Sequence, residues 1–321
     1  HVEYLVRALA GTGALSDILL FSNRAPLFDE GEPTGTRWIG RRTFPKRALW
    51  MQAILPSLIR EERPDLTHYI NFNAPILGAH PFVVTFHDMV LFRHPEFFTW
   101  KKRVLTRGLM PHVARRALGI LTVTEAARRE IVEYLDLPPD RVHVVPAAPA
   151  DLYRPVDDPA KIEAVRARHQ LARPYILFVG TLEPRKNLPR LLQAFARAKR
   201  ELDLPHELAV VGGRGWKFDP IFETVRETGV AESVRFLDYV ALPDMPALYA
   251  GAELLVFPSL YEGFGVPPLE AMRVGTPVVV SDVPSLREVT GDASIKVDPF
   301  DLASIAEGIK LGLTDRERRA T

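Results

Sequence analysis

The sequence predicts an α/β protein made of two Rossmann-like, doubly wound domains facing one another across a cleft. Three observations carry this. The 321 residues exceed the size at which one hydrophobic core stops growing, so two are expected. Short apolar, β-branched runs alternate with segments of helical period along nearly the whole chain. Strands that are apolar throughout are what a parallel sheet covered on both faces requires. Finally, Pro146, Pro149, Pro155, Pro159 and Pro174 punctuate one stretch and mark a connection.

The elements follow in order. A first helix is expected at 1–10, then strands at 17–21, 67–70, 82–86, 120–123 and 142–145. Helices are expected between them at 46–60, 99–117 and 125–135. Residues 1–150 form the first domain, 151–173 the connection with one short helix, and 174–321 the second domain. There, strands at 175–179, 208–211, 234–237, 254–257, 278–281 and 294–297 alternate with helices at 188–201, 220–228, 243–250, 266–274, 285–289 and 301–312. Ligands of such sheets bind beyond the carboxyl ends of the strands. The segments 180–187, 212–217, 238–240, 259–265 and 282–285 should therefore line one rim.

Composition removes several function classes. No cysteine means no disulfide, zinc–thiolate site, iron–sulfur cluster or cysteine nucleophile. No apolar run reaches the roughly 18–20 residues of a membrane span, and no signal peptide opens the chain. A net charge of +1 argues against a nucleic-acid binder. That charge is uneven: residues 1–150 hold 19 Lys and Arg against 15 Asp and Glu, and 151–321 hold 22 against 25. From Arg93 to Arg116 stand seven basic residues and one acid, Glu96. Apolar residues interleave them, so 97–116 reads as a basic amphipathic helix suited to an anionic membrane surface. A core helix with a solvated basic face is the alternative.

Chemistry concentrates on the rim of the second domain. Gly180 ends a strand, and Arg185-Lys186 stand just before a helix. A planar fork beside a mobile point charge suits a diphosphate, although an isolated Arg-Lys pair is commonly just solvated. Further on, Glu262-Gly263-Phe264-Gly265 opens a helix that carries Glu270 about one turn in. The backbone N–H groups of Gly263, Phe264 and Gly265 could approach an anion with the helix dipole behind them. A carboxylate near phosphates serves hydroxyls, as a ribose or sugar offers them. The competing roles are a helix cap for Glu262 and a dipole-favoured acid for Glu270.

These residues resemble a known family. Glu262, seven residues and Glu270, with Gly263-Phe264-Gly265 after the first acid, look like the EX7E motif of the family 4 retaining glycosyltransferases of GT-B fold. Phe178-Val179-Gly180-Thr181 and Glu183-Pro184-Arg185-Lys186-Asn187 resemble that family's donor-diphosphate motif. The run from Met272 to Asp282, with Gly291-Asp292-Ala293, matches its continuation. In the first half His87-Asp88, His94-Pro95-Glu96 and Thr122-Val123-Thr124-Glu125 fit a mannosyltransferase-like branch. The resemblance implies transfer of a hexose, mannose foremost, from a nucleotide-diphosphate sugar, GDP-mannose foremost, to a saccharide or lipid-linked acceptor. It implies retention by front-face displacement, with no metal and no cofactor beyond the donor. Arg185 and Lys186 inherit the diphosphate, Glu270 the ribose hydroxyls, and Glu262 with Gly263, Phe264 and Gly265 the donor sugar. Tyr239 and Val240 fall where the base would sit. The implied setting is the cytoplasm, peripheral on the inner face of the cell membrane and in biosynthesis of a polysaccharide.

His87 follows a strand at its carboxyl end, where a neutral imidazole could hydrogen-bond a sugar hydroxyl or leaving phosphate. Asp88 could orient it or cap the next segment, and His94 is taken as structural. Asp-x-Asp, Walker-A, complete G-x-G-x-x-G, H-E-x-x-H and G-x-S-x-G patterns are all absent. Three departures from the family stand out. Its Gly-rich loop before the first helix and its returning C-terminal helix lie outside the sequence, which is expected to be cut short. Ala147-Ala148-Pro149-Ala150-Asp151 also replaces the usual Asn-Gly-Val-Asp. A GT-B-fold nucleotide-sugar epimerase and a non-catalytic nucleotide-sugar-binding module remain the alternative functions.

Overall fold

The structure is a computed structural model that describes residues 2–15, 17–22, 35–39, 49–77 and 80–314. The chain divides into two compact units, residues 1–123 with 127–145, and residues 124–126 with 146–321.

The first unit opens with α1 (Val2–Gly11) and two short parallel strands, β1 (Ile18–Phe21) and β2 (Thr36–Ile39), with Ile18 opposite Thr36. Strand β2 escapes the sequence pattern because Arg37 interrupts it. That side chain is exposed and donates to Glu62 at 2.7 Å. Residues 46–48, the start of the helix expected at 46–60, lie outside the described residues. From Trp50 to Ile54 the chain winds as a π-helical turn before α2 (Leu55–Glu62). A four-stranded parallel sheet follows, β3 (Thr67–Tyr69), β4 (Phe82–Thr85), β5 (Gly119–Thr122) and β6 (Val142–Val144), paired in chain order. Val84, Phe86, Met110, Val113, Ile120 and Ile131 form its core.

The helix expected at 99–117 forms, one residue shorter at each end, and Phe97, the start of the basic segment 97–116, falls in the turn before it. After α3 (Val90–Arg93) a 3-10 turn covers Pro95–Phe97, and α4 spans Trp100–Arg116. Its apolar residues face two ways. Met110 and Val113 are buried, whereas Trp100, Val104 and Leu105 are 64%, 68% and 69% exposed. Helix α5 (Glu125–Leu135) leads into β6.

The second unit holds α6 (Pro159–Arg168), β7 (Tyr175–Val179), α7 (Leu188–Leu202), β8 (Glu207–Val211) and α8 (Asp219–Thr228). Then come β9 (Val234–Asp238), α9 (Met245–Ala250), β10 (Leu254–Phe257), α10 (Val266–Val274) and β11 (Val278–Ser281). It closes with α11 (Pro284–Thr290), β12 (Ile295–Val297) and α12 (Leu302–Thr314). All six strands are parallel, in the order β12-β11-β10-β7-β8-β9. Two apolar layers cover the sheet. One contains Phe178, Leu192, Phe195 and Ile305, the other Leu177, Tyr249, Leu255 and Phe257. Residues 151–173, expected as a connection, are packed into that second layer through the buried Tyr153, Val165 and Leu171. The strand order reverses between β7 and β10, and a doubly wound sheet opens its ligand crevice at that reversal.

Candidate active site

The loops after β7 and β10 flank this switch point, and they carry the predicted cations and the first predicted acid. Pro184 starts a 3-10 turn (Pro184–Lys186) that Asn187 ends in the left-handed region, φ 59°. The Asn187 amide donates to the carbonyls of Pro258 at 3.0 Å and Pro299 at 2.8 Å. The Leu260 N–H donates to the Arg185 carbonyl at 2.8 Å, and the Ser285 hydroxyl to the Glu262 carbonyl at 2.7 Å. Four strand ends, those of β7, β10, β11 and β12, are thereby tied through backbone carbonyls before any ligand arrives.

Within that frame the charges meet. Arg185 Nη1 donates to Glu262 Oε2 at 2.7 Å and to the Tyr261 carbonyl at 3.3 Å, and Lys186 Nζ to Glu262 Oε1 at 2.6 Å. Lys186 also stands 4.6 Å over the Phe257 ring. Its stem runs beside Gly180, where a Cβ would lie 3.3 Å from Lys186 Cε, so the glycine leaves room for the lysine. Burial raises the Glu262 carboxyl, but Lys186 and Arg185 outweigh that and hold it below the usual carboxylate range. Burial pulls the Lys186 ammonium down, helped by Arg185 and opposed by Glu262. Glu262 is therefore no helix cap. It is a buried counter-ion shared by the two cations.

Glu270, in the middle of α10, belongs to a different cluster. Tyr249 Oη donates to its Oε2 at 2.7 Å, and the Tyr153 hydroxyl also hydrogen-bonds this carboxylate. The Tyr153 and Tyr249 rings meet edge on, 5.8 Å apart at 74°. Burial raises the Glu270 carboxyl above its ordinary value, and the two tyrosine hydroxyls only partly offset it. Gly265, the N-cap of α10, has φ 100°, and a Cβ there would lie 2.4 Å from Leu286 Cδ2.

Within the second unit, Tyr239 and Val240 take no part in the hydrogen bonds of these clusters. Tyr239 is 84% exposed beyond the edge strand β9, while the Val240 side chain is buried in the core with Met245 and Val211. His87 lies in the first unit, half-buried just after β4, with Nε2 2.9 Å from the Ile70 carbonyl. Asp88 caps the next segment, accepting from the Val90 N–H at 3.1 Å. His94 pairs with Glu96 at 3.0 Å and stacks on Phe97. Sequence reasoning gave no role to Glu183, Asn187, Tyr153 or Tyr249. The partners of Asn187, Tyr153 and Tyr249 are distant in sequence, whereas Glu183 bonds Arg185 two residues on; only Glu183 and Asn187 stand inside a recognised motif. Among the described residues no group of three or more His, Asp or Glu could hold a metal ion.

A doubly wound sheet with paired cations and buried acids at its switch point has the layout of an enzyme for phosphate-activated substrates. Comparison with known proteins narrows that class. The model for glycosyl transferases group 1 matches residues 161–321, and that for glycosyltransferase family 4 matches residues 1–148. The chain belongs to the family 4 glycosyltransferases, a transferase of GT-B fold. It is 37% identical over 301 residues to O-antigen chain mannosyltransferase B of Escherichia coli, covering 93% of this chain and 74% of that protein. Against the serotype-specific mannosyltransferase WbdA of Escherichia coli the identity is 32% over 207 residues, 62% of this chain and 25% of that protein. The chain thus spans a quarter of that relative's length. Among solved structures, HepE of Anabaena in complex with UDP and glucose matches with a TM-score of 0.78 at 19% identity, over 100% of this chain and 89% of that one. That likeness is one of fold.

Proposed function

We propose that this glycosyltransferase moves mannose from GDP-mannose onto a growing saccharide or lipid-linked saccharide, with retention at the anomeric carbon and without a metal. One observation carries the donor site: Arg185 and Lys186 converge on the Glu262 carboxylate at the switch point. In this reading the donor diphosphate exchanges with Glu262 for the two cations. Glu262 then turns to the sugar, beside the backbone N–H groups of Gly263, Phe264 and Gly265. Glu270 accepts from the ribose hydroxyls, the base lies along the backbone at Tyr239 and Val240, and His87 hydrogen-bonds the transferred sugar. The mannosyltransferase names of the relatives favour mannose.

The chemistry follows from these charges. The bond between the anomeric carbon and the phosphate oxygen breaks as the acceptor oxygen bonds the same face. The departing phosphate takes the acceptor proton. Negative charge grows on the diphosphate, where Arg185, Lys186 and the α10 N-terminus stabilise it in a site shielded from water. The test incubates the full chain with labelled GDP-mannose or UDP-glucose, with and without a mannosyl-primed lipid acceptor, in EDTA. Acceptor-dependent release of GDP, with an α-linked product by NMR, is expected. Interconversion of the sugar without acceptor would make the protein an epimerase, and binding without turnover a module; either overturns the proposal.

The same reading gives the first unit a peripheral contact with an anionic membrane surface. Among the described residues no helix is long and apolar enough to cross a membrane. Yet Trp100, Val104 and Leu105 stand exposed along α4, interleaved with the exposed Lys101, Lys102 and Arg107. Apolar side chains between cations are the composition of an interfacial helix. The surface involved would be the cytoplasmic face of the membrane.

A further inference from the structure

Glu183 is the most buried acid of the cation cluster, 4% exposed, and the chemistry above gives it no task. A carboxylate fixed beside an anion site opposes the anion, so its presence needs a physical reason. Its geometry offers one. Glu183 Oε1 accepts from Arg185 Nε at 2.9 Å and stands 2.8 Å from Arg185 Nη2. The opposite corner of the same guanidinium, Nη1, is the one that reaches Glu262. A planar fork gripped along one edge is prevented from rotating, and its far corner points one way.

The grip is itself anchored. Leu182, the preceding residue, donates to the Gly213 carbonyl at 3.0 Å and accepts from the Gly215 N–H at 3.1 Å, which extends the β7–β8 pairing beyond the strands. Gly215 makes this approach possible, since a Cβ there would lie 2.8 Å from the Leu182 carbonyl oxygen. Glu183 is thus built from the sheet, whereas Glu262 sits in a loop on the far side of the cations. The two acids do different work. Glu262 is exchanged when an anion arrives, and Glu183 stays.

We propose that Glu183 is a positioning residue of the donor site, holding Arg185 edge-on so that its Nη1 corner meets the donor diphosphate. This rests on the donor-site reading given above. The two possible roles of Glu183 predict opposite signs. As a local counter-charge alone, its removal leaves a more positive site that binds diphosphate more tightly. As a positioning residue, its removal frees Arg185 to turn away and binding weakens.

The experiment is calorimetric titration of the full chain with GDP and GMP, with UDP and UMP in parallel. Glu183→Gln should weaken GDP binding about tenfold, the scale of one oriented charge-assisted contact. GMP, which lacks the second phosphate, should change much less. The same change should raise the donor KM more than it lowers kcat, and should vanish in an Arg185→Lys background, which has no fork to hold. Glu183→Asp, which keeps the charge but withdraws it by one methylene, serves if the glutamine variant fails to fold, and should shift GDP binding in the same direction. Unchanged or tighter GDP binding in a folded Glu183 variant overturns the proposal. A wild-type chain that binds neither GDP nor UDP overturns the donor-site reading, and this proposal with it.

Discussion

Each acid of the second unit is set by its neighbours, and each answers differently to substitution or pH. Glu262 is shared by the buried Lys186 and the half-buried Arg185, so Glu262→Gln takes the carboxylate partner from Lys186 while Arg185 keeps Glu183. Stability to denaturant should fall by about 3–5 kcal/mol, the scale for breaking one partner of a buried ion pair. Binding of GDP should tighten, because the Nη1 corner of Arg185 and the Lys186 ammonium no longer have a carboxylate to exchange, while transfer falls by roughly a hundredfold or more. Equal stability and ordinary GDP affinity would contradict the shared counter-ion. Glu270 behaves in the opposite sense. Burial raises its carboxyl above the ordinary value, and the ionised form is the stronger acceptor for hydroxyls. The donor KM should therefore rise as pH falls through that raised value, at a higher pH than an ordinary glutamate would give. Tyr249→Phe removes a donor that favours the ionised form, so this acidic limb should move to still higher pH. Glu270→Gln should flatten it.

Single elements depend on how closely their backbones approach. Gly212 has φ 143°, and a Cβ there would lie 2.1 Å from the Gly180 carbonyl oxygen. Since backbone cannot yield as a side chain does, Gly212→Ala should destabilise the second unit by roughly 3 kcal/mol. Gly213, the next residue, meets nothing within 4 Å of an added Cβ, so Gly213→Ala should change stability by less than about 1 kcal/mol. Denaturant melts of the two variants separate a steric cause from general loop sensitivity. Both glycines lie in the rim segment legible in the sequence, where nothing local ranks one above the other. That ranking depends on a carbonyl more than thirty residues away. The same limit explains β2, whose partner β1 is distant and whose Arg37 hides the apolar pattern. It also explains residues 151–173, whose prolines suggest a connector although Tyr153 and Leu171 are buried in the core.

At the scale of the whole molecule, the surface of α4 bears on where the enzyme works. Along it Trp100, Val104 and Leu105 stand among cations, and each Lys or Arg near an anionic leaflet contributes about 1 kcal/mol. Replacing Lys101, Lys102 and Arg103 together by Ala should weaken binding to phosphatidylglycerol vesicles by roughly tenfold to a hundredfold, allowing for salt. Binding to neutral vesicles should hardly change. Trp100→Ala should weaken both. Flotation that is the same for all variants would leave α4 a core helix with a solvated basic face.

The sequence by itself determined the class of fold, the six strands and helices of the second unit, and the family, because these rest on local periodicity and on contiguous motifs. It also singled out Arg185, Lys186, Glu262 and Glu270 by residue type and position. The tertiary structure alone decided their partnerships. It put Glu262 between the cations, gave Glu270 to Tyr153 and Tyr249, gripped Arg185 with Glu183, and sent the Val240 side chain into the core. The physical reason is range. A period of two or 3.6 residues is written in neighbouring side chains, whereas a buried ion pair forms only when the sheet order brings two distant loops to one switch point.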